Sequence, residues 1–134
     1  MPVTPTISTD RAGVGNTGQR PDTTSSIAYK HGNVNDYFST SSFALPALGT
    51  FGNTGLNTVR LPGLNSTQFS VAKKATFYVI SEHAVTTTFQ AQFFNLFNHS
   101  SFNGVGTTYG AVTFGKITSA LEPRNIAFRL IFSF

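Results

Sequence analysis

The sequence predicts an all-β chain of antiparallel strands separated by long loops. Three observations carry that expectation. Residues 84–94 and 126–134 alternate apolar with polar or small residues at a period of two, which sends successive side chains to opposite faces of a strand. Those runs are rich in β-branched and aromatic residues, the types that fit a pleated surface. Gly, Pro, Asn, Ser and Thr crowd residues 1–65, where neither the helical nor the strand period persists.

Taken in order, residues 1–65 form a loop-rich first segment. Turn signals recur there at Asn16-Thr17-Gly18, Arg20-Pro21-Asp22, His31-Gly32-Asn33, Leu45-Pro46, Gly52-Asn53 and Pro62-Gly63. A short extended piece is expected within residues 3–8. One helical turn is expected within 36–43, capped by Asn35 or Asp36 and docked by Tyr37 and Phe38. The remainder reads as long, partly ordered loop.

Residues 66–134 hold the clear strands. The first, about 66–73, alternates Phe69 and Val71 against Gln68, Ser70 and Ala72. Lys73-Lys74 ends the clear alternation, with 75–80 as an extension, and Ser81-Glu82-His83 is the polar connector. The second strand, 84–94, sets Val85, Thr87, Phe89, Ala91 and Phe93 against Thr86, Thr88, Gln90 and Gln92. Residues 95–123 read as Gly-rich loop with a short strand at 112–117. The last strand, 126–134, sets Ile126, Phe128, Leu130, Phe132 and Phe134 against Ala127, Arg129, Ile131 and Ser133.

Composition limits the function classes. The 134 residues include 14 Phe but no Trp or Cys, and charged residues make up only 10%, against ~25% in soluble domains. The net charge is +4, with Lys73-Lys74 the only adjacent basic pair, so no nucleic-acid surface is indicated. Absence of Cys removes disulfides and thiolate metal sites. No run of ~18 apolar residues offers a transmembrane helix. The start, Met-Pro-Val-Thr-Pro, lacks the basic and apolar regions of a signal peptide; export is expected only as part of a longer protein.

Catalytic chemistry is not expected. Gly13-Val14-Gly15-Asn16-Thr17-Gly18 has dinucleotide-binding spacing, but no strand-to-helix context surrounds it and Pro21 follows, so it reads as a turn-rich loop. His31, His83 and His99 are far apart, and the only nearby carboxylate, Glu82 beside His83, would point to the opposite strand face. The carboxylates Asp10, Asp22, Asp36, Glu82 and Glu122 form no evident acid–base pair, and no nucleophile elbow is present. The expectation is a non-enzyme with no cofactor and no metal.

Both long runs match the ~9–11 residues of a tilted strand crossing a bilayer. A soluble β-sandwich alternates identically, so the pattern alone leaves two readings: a membrane wall with its apolar face in lipid, or a secreted sandwich for binding or adhesion. Low charge, Phe134, and the polar set Thr86, Thr88, Gln90, Gln92 and Arg129 favour the first. In that reading Val85, Phe89, Phe93 and Ile126 face lipid, and the polar set faces a wet lumen.

Several motifs then carry a resemblance: Phe93-Phe94-Asn95-Leu96-Phe97-Asn98-His99, Phe102-Asn103, Thr113-Phe114-Gly115-Lys116-Ile117-Thr118-Ser119-Ala120 and Pro123-Arg124-Asn125-Ile126. Upstream, Gly18-Gln19-Arg20-Pro21, Phe43-Ala44-Leu45-Pro46, Gly49-Thr50-Phe51-Gly52-Asn53-Thr54-Gly55 and Asn57-Thr58-Val59-Arg60-Leu61-Pro62-Gly63 extend it. Together, from about Asp10 to Phe134, the chain resembles the C-terminal barrel segment of TonB-dependent outer-membrane receptors. The closest branch is the type with an N-terminal carboxypeptidase-regulatory-like domain common in acidobacteria.

The resemblance implies an intact barrel of roughly 22 strands closed by an N-terminal plug and driven by a periplasmic energy-coupling protein. Neither the plug nor the remaining strands are in this sequence. The implied topology runs 84–94 outward and 126–134 inward, with a periplasmic turn within 74–83. Residues 95–124 and those before Ser66 then lie largely outside the cell. Phe128, Leu130, Phe132 and Phe134 resemble the signal read by the barrel assembly machinery. The expected fold is therefore all-β: antiparallel strands of an incomplete outer-membrane β-barrel with long loops. The expected partners are outer-membrane lipid, the assembly machinery and the missing strands and plug.

Overall fold

The structure, a computed structural model, describes residues 1–80 and 83–134. In chain order its strands are β1 (Pro2–Val3), β2 (Thr6–Ile7), β3 (Asp22–Thr23), β4 (Phe43–Ala44), β5 (Val59–Arg60), β6 (Phe69–Ile80), β7 (His83–Phe94), β8 (Phe102–Val105), β9 (Thr108–Tyr109), β10 (Ile117–Ala120) and β11 (Asn125–Ser133). They fall into two compact units, Met1–Leu64 with Phe102–Leu121, and Asn65–Ser101 with Glu122–Phe134.

In the first unit, β1 pairs with β5, β3 with β4 and β10 with β8, all antiparallel, while β2 and β9 run parallel. Most of these ladders are only two residues long, too short to hold a fold. What holds it is an aromatic cluster. Phe38, Phe43 and Phe114 meet edge to face with ring centroids 5.2–5.8 Å apart, the arrangement the ring quadrupole favours. Tyr37 and Val59 complete the buried set. The Tyr37 N–H donates to the Gly115 carbonyl at 2.7 Å, and the Gly115 N–H donates to the Gly106 carbonyl at 3.0 Å. Gly115 has φ +78°, and a Cβ there would meet the Thr40 methyl at 2.6 Å, so only glycine fits beside this cluster.

One reading of this segment is corrected. Residues 1–65 hold only two-residue strands and one 3₁₀ turn between loops, and aperiodic aromatics within them converge on Phe114, a partner far away in sequence. The turn within 36–43 is a 3₁₀ turn at Thr40–Ser42 preceded by Ser39, with no side-chain cap. Tyr37 and Phe38 dock as expected, but Asp36 pairs with Lys30 instead of capping.

The glycine-rich stretch is a loop wrapped on a carboxylate. Asp10 Oδ1 accepts the N–H groups of Gly13 and Val14 at 2.8 and 3.2 Å, and Oδ2 accepts that of Gly15 at 2.6 Å. The Gln19 amide donates to Oδ1 at 2.6 Å. Desolvation works against the charged form, but the bonds from Gly15, Gln19, Val14 and Gly13 outweigh it and hold the Asp10 carboxyl below its ordinary range.

The second unit is an antiparallel three-stranded sheet in the order β11-β7-β6. Lys73-Lys74 does not end the first strand: β6 pairs with β7 continuously from Phe69↔Phe93 to Tyr78↔Ala84, then shifts register to Ile80↔His83. The ladder is a backbone property, so two adjacent lysines, pointing to opposite faces, do not interrupt it. Of the expected Ser81-Glu82-His83 connector, His83 begins β7 instead, while Ser81, Glu82 and the Glu82–His83 pair fall outside the described residues. The short strand expected at 112–117 lies later, as β10, and pairs with β8 inside the 95–123 stretch read as loop.

Phe38→Ala is expected to destabilise the first unit by about 3–5 kcal/mol, seen as lost amide-exchange protection at Tyr37 and Gly115. Unchanged protection would show that the aromatic cluster does not hold the unit. For Asp10, folding lowers the carboxyl pKa, so the stabilisation is present above roughly pH 4 and is lost as pH falls through the folded value. The amide-exchange protection factors of Gly13 and Gly15, taken against the intrinsic rate at each pH, should fall on acidification in the native chain and stay level in Asp10→Asn. Identical profiles for the two proteins would contradict this.

Candidate functional site

Opposed residues of antiparallel strands point to one face, so the register sorts the sheet's side chains. One face carries Phe69, Val71, Ala75 and Phe77 from β6 and Val85, Thr87, Phe89, Ala91 and Phe93 from β7. From β11 it carries Ile126, Phe128, Leu130 and Phe132. The other carries Ser70, Ala72 and Thr76, then Thr86, Thr88, Gln90 and Gln92, then Ala127, Arg129 and Ser133. Every residue expected to face lipid therefore lies on one face, with Phe128, Leu130 and Phe132 beside them. Thr86, Thr88, Gln90, Gln92 and Arg129 lie together on the other. Phe134 lies one residue past β11 and is fully exposed.

The apolar face is knitted laterally. Phe89 stacks on its diagonal neighbour Phe128 with centroids 6.0 Å apart, and Phe69 lies 6.0 Å from Phe93. Ala91, between Val71 and Phe128, is buried by these neighbours. The row itself is exposed: Phe128 is 68% exposed, Leu130 55% and Phe132 58%. Full burial of each such side chain is worth about 1.5–3 kcal/mol. A β-sandwich would cover such a row with a second sheet, and a barrel wall would turn it outward to lipid. On the polar face the Thr76 and Thr86 hydroxyls bond across the strands at 3.2 Å.

Each face has exceptions. Lys73 stands on the apolar face opposite Phe89, and Tyr78, Phe94 and Ile131 stand on the polar face. A lysine stem covers apolar surface while its amine reaches toward water, and Lys73 is exposed. Tyr78 and Phe94 sit near opposite ends of the β6–β7 ladder.

The loop end of the sheet is tied by side chains that the alternation did not single out. Asn95 is buried, with its side-chain amide donating to the carbonyls of His99 at 2.9 Å and Glu122 at 3.3 Å. Its Oδ1 accepts the His99 N–H at 2.9 Å. Asn98 Oδ1 accepts the Arg124 N–H at 3.0 Å, and the Leu96 N–H donates to the Thr67 carbonyl at 2.9 Å. Ser101 Oγ donates to the Asn65 carbonyl at 2.9 Å and accepts its N–H at 3.1 Å. The set links the entry to β6, the exit of β7 and the entry to β11. Asn95 and Asn98 have φ of 52° and 53°, a region asparagine tolerates better than most residues.

The edges complete the site. Only β7 has strands on both sides; β6 and β11 each present one edge with no strand partner among the described residues. No cluster of His, Cys, Asp or Glu among the described residues could hold a metal. No helix among them is long and apolar enough to cross a membrane.

A two-faced sheet with an exposed apolar row, a polar reverse and open edges is a section of β-barrel wall. The family model described as "Outer membrane beta barrel domain" matches residues 1–127, and the chain belongs to that family. It is thus part of an outer-membrane β-barrel. No curated protein and no solved structure matches it.

Charge should be tolerated on one face and not on the other. Leu130→Arg is expected to lose the heat-modifiable, membrane-inserted form, since Arg near the bilayer midplane costs about 2–4 kcal/mol on a lipid face. Gln92→Arg should retain it. Equal behaviour of the two variants in outer-membrane fractions would reject the assignment of faces.

Proposed function

We propose that the chain supplies the last strands and associated loops of a TonB-dependent outer-membrane receptor, of the type with an N-terminal carboxypeptidase-regulatory-like domain, that takes up a ligand across the outer membrane. The observation that carries this reading is the exposed row Phe128, Leu130 and Phe132 on a strand whose outer edge has no strand partner among the described residues. Such a strand needs lipid for its face and another strand for its edge. Family membership supports the barrel, and the motif resemblance from about Asp10 to Phe134 supports the receptor type.

In this reading the chain is exported as part of a longer protein. Val85, Phe89, Phe93 and Ile126 meet lipid, while Thr86, Thr88, Gln90, Gln92 and Arg129 line the lumen. Phe128, Leu130, Phe132 and Phe134 are the row read by the barrel assembly machinery, by strand pairing at the open edge with pockets for alternate side chains. The remaining strands and the plug close the pore. The periplasmic energy-coupling protein acts through the N-terminal part of the receptor. The chain's role is transport without catalysis, cofactor or metal.

Two measurements test the proposal. Phe132→Ala combined with Phe134→Ala in the intact receptor should cut the outer-membrane, heat-modifiable fraction by about tenfold, a loss on the order of 1.4 kcal/mol in assembly; undiminished assembly would remove the signal. The DNA upstream of Met1 should encode, in frame, a plug and further strands. A stop codon followed by a dedicated ribosome site would overturn the receptor reading.

A further inference from the structure

The first unit carries a groove of about 730 Å³ that has no part in the wall. Its floor is aromatic: Tyr29 stacks on His31 with centroids 6.1 Å apart and 18° between planes, and meets Tyr37 edge-on at 5.6 Å. These rings are held from behind. The Tyr29 hydroxyl accepts the Arg60 N–H at 2.9 Å, and the Tyr37 hydroxyl donates to the Arg60 carbonyl at 3.1 Å. Two phenols thus grip both sides of one residue's backbone. Burial, with Tyr29 nearby, raises the Tyr37 pKa and keeps that hydroxyl a donor. The ring faces are set before any ligand arrives, which lowers the entropy cost of binding.

The same grip fixes the root of the Arg60 side chain. Arg60 is exposed, and it is the only Lys, Arg, Asp or Glu in the lining. The one ion pair among the described residues is Lys30 with Asp36, so the guanidinium has no carboxylate partner there. Most hydroxyls around the groove are already engaged: Thr23 with Thr54 at 2.7 Å, Ser25 with Ser42 at 3.2 Å and Thr58 with the Gly55 carbonyl at 3.4 Å. What the groove offers a ligand is ring surface, the aliphatic Ile27 and Leu61, and one cation.

We propose that this groove binds a hydroxyl-poor, ring-bearing carboxylate, with the ring on the Tyr29–His31 surface and the carboxylate on Arg60. A planar guanidinium matches a carboxylate in a two-bond fork. A sugar acid would bring hydroxyls that find few free partners, and a neutral ring would cover the guanidinium without compensating its charge. The inference does not rest on the uptake reading, because it concerns binding by this chain alone, and either can fail without the other.

Calorimetric titration of the full chain in detergent with 2-naphthoate tests it, using 2-naphthylmethanol and glucuronate as the neutral and hydroxyl-rich controls. Saturable naphthoate binding is expected, weakened about tenfold or more in Arg60→Gln and severalfold in His31→Ala, with both controls weaker than naphthoate. Both replaced residues are exposed, and an unchanged far-UV circular dichroism spectrum verifies that each variant folds. Partition into detergent is common to all three proteins, so equal binding by native chain and Arg60→Gln would overturn the proposal. So would an absence of saturable binding, or tighter binding of either control.

Discussion

Backbone hydrogen bonding is the constraint on which the sheet depends. In hydrocarbon each unpaired N–H or C=O costs several kcal/mol. β7 escapes that cost, because β6 and β11 flank it. The flanking strands each leave an edge whose groups must be paired by something else. Side-chain pattern separates an apolar from a polar face, but the edges explain why a three-stranded sheet of this kind belongs in a larger closed barrel. In a barrel no edge remains, and the cost disappears with it.

Register is the second dependency. A one-residue slip between β7 and β11 would move Phe128, Leu130 and Phe132 to the polar face. The ladder alone resists such slips weakly, since its backbone bonds can re-form after a shift. The clamp at the loop end fixes the choice: Asn95 reaches Glu122, and Asn98 reaches the N–H of Arg124, immediately before β11 begins. These bonds are specific to position as well as to chemistry. A shifted β11 would leave the buried Asn95 amide short of a partner, at about 1–3 kcal/mol. β6 has less apolar surface to enforce its own register, because Lys73 and Ala75 stand where β11 has Leu130 and Phe132.

These differences explain what could be read from the sequence. β7 and β11 were legible because an unbroken period of two runs through each. β6 was legible by clear alternation only to about Lys73, with 75–80 read as an extension, since Lys73 on the apolar face breaks the pattern of a ladder that continues to Ile80. The aromatic cluster was invisible to periodicity: Tyr37, Phe38, Phe43, Val59 and Phe114 share no spacing and meet only through tertiary contact. The separation into two faces followed from alternation, but the clamp did not. Asn95 and Asn98 look like ordinary loop asparagines until their positive φ and their partners across the chain are seen.

The clamp also bears on how the long connection between β7 and β11 is sustained. Closing a flexible loop costs entropy that grows only slowly with its length, and the segment Phe102–Leu121 spends its residues in the first unit, supplying Phe114 and the partner strands for β2 and within β8–β10. Its two exits are pinned where it leaves and re-enters the sheet, by Ser101 on Asn65 and by Asn95 on the Glu122 carbonyl. The first unit's other segment also reaches the sheet at Asn65. The small hydrogen-bonded set within the second unit therefore includes Asn65, Ser101 and Glu122, the residues at which its segments begin and end. A buried amide and a buried hydroxyl suit that position better than apolar contacts, because their bonds specify which backbone groups meet. The alternating strands set the faces of the wall, and these polar side chains set where its loops begin.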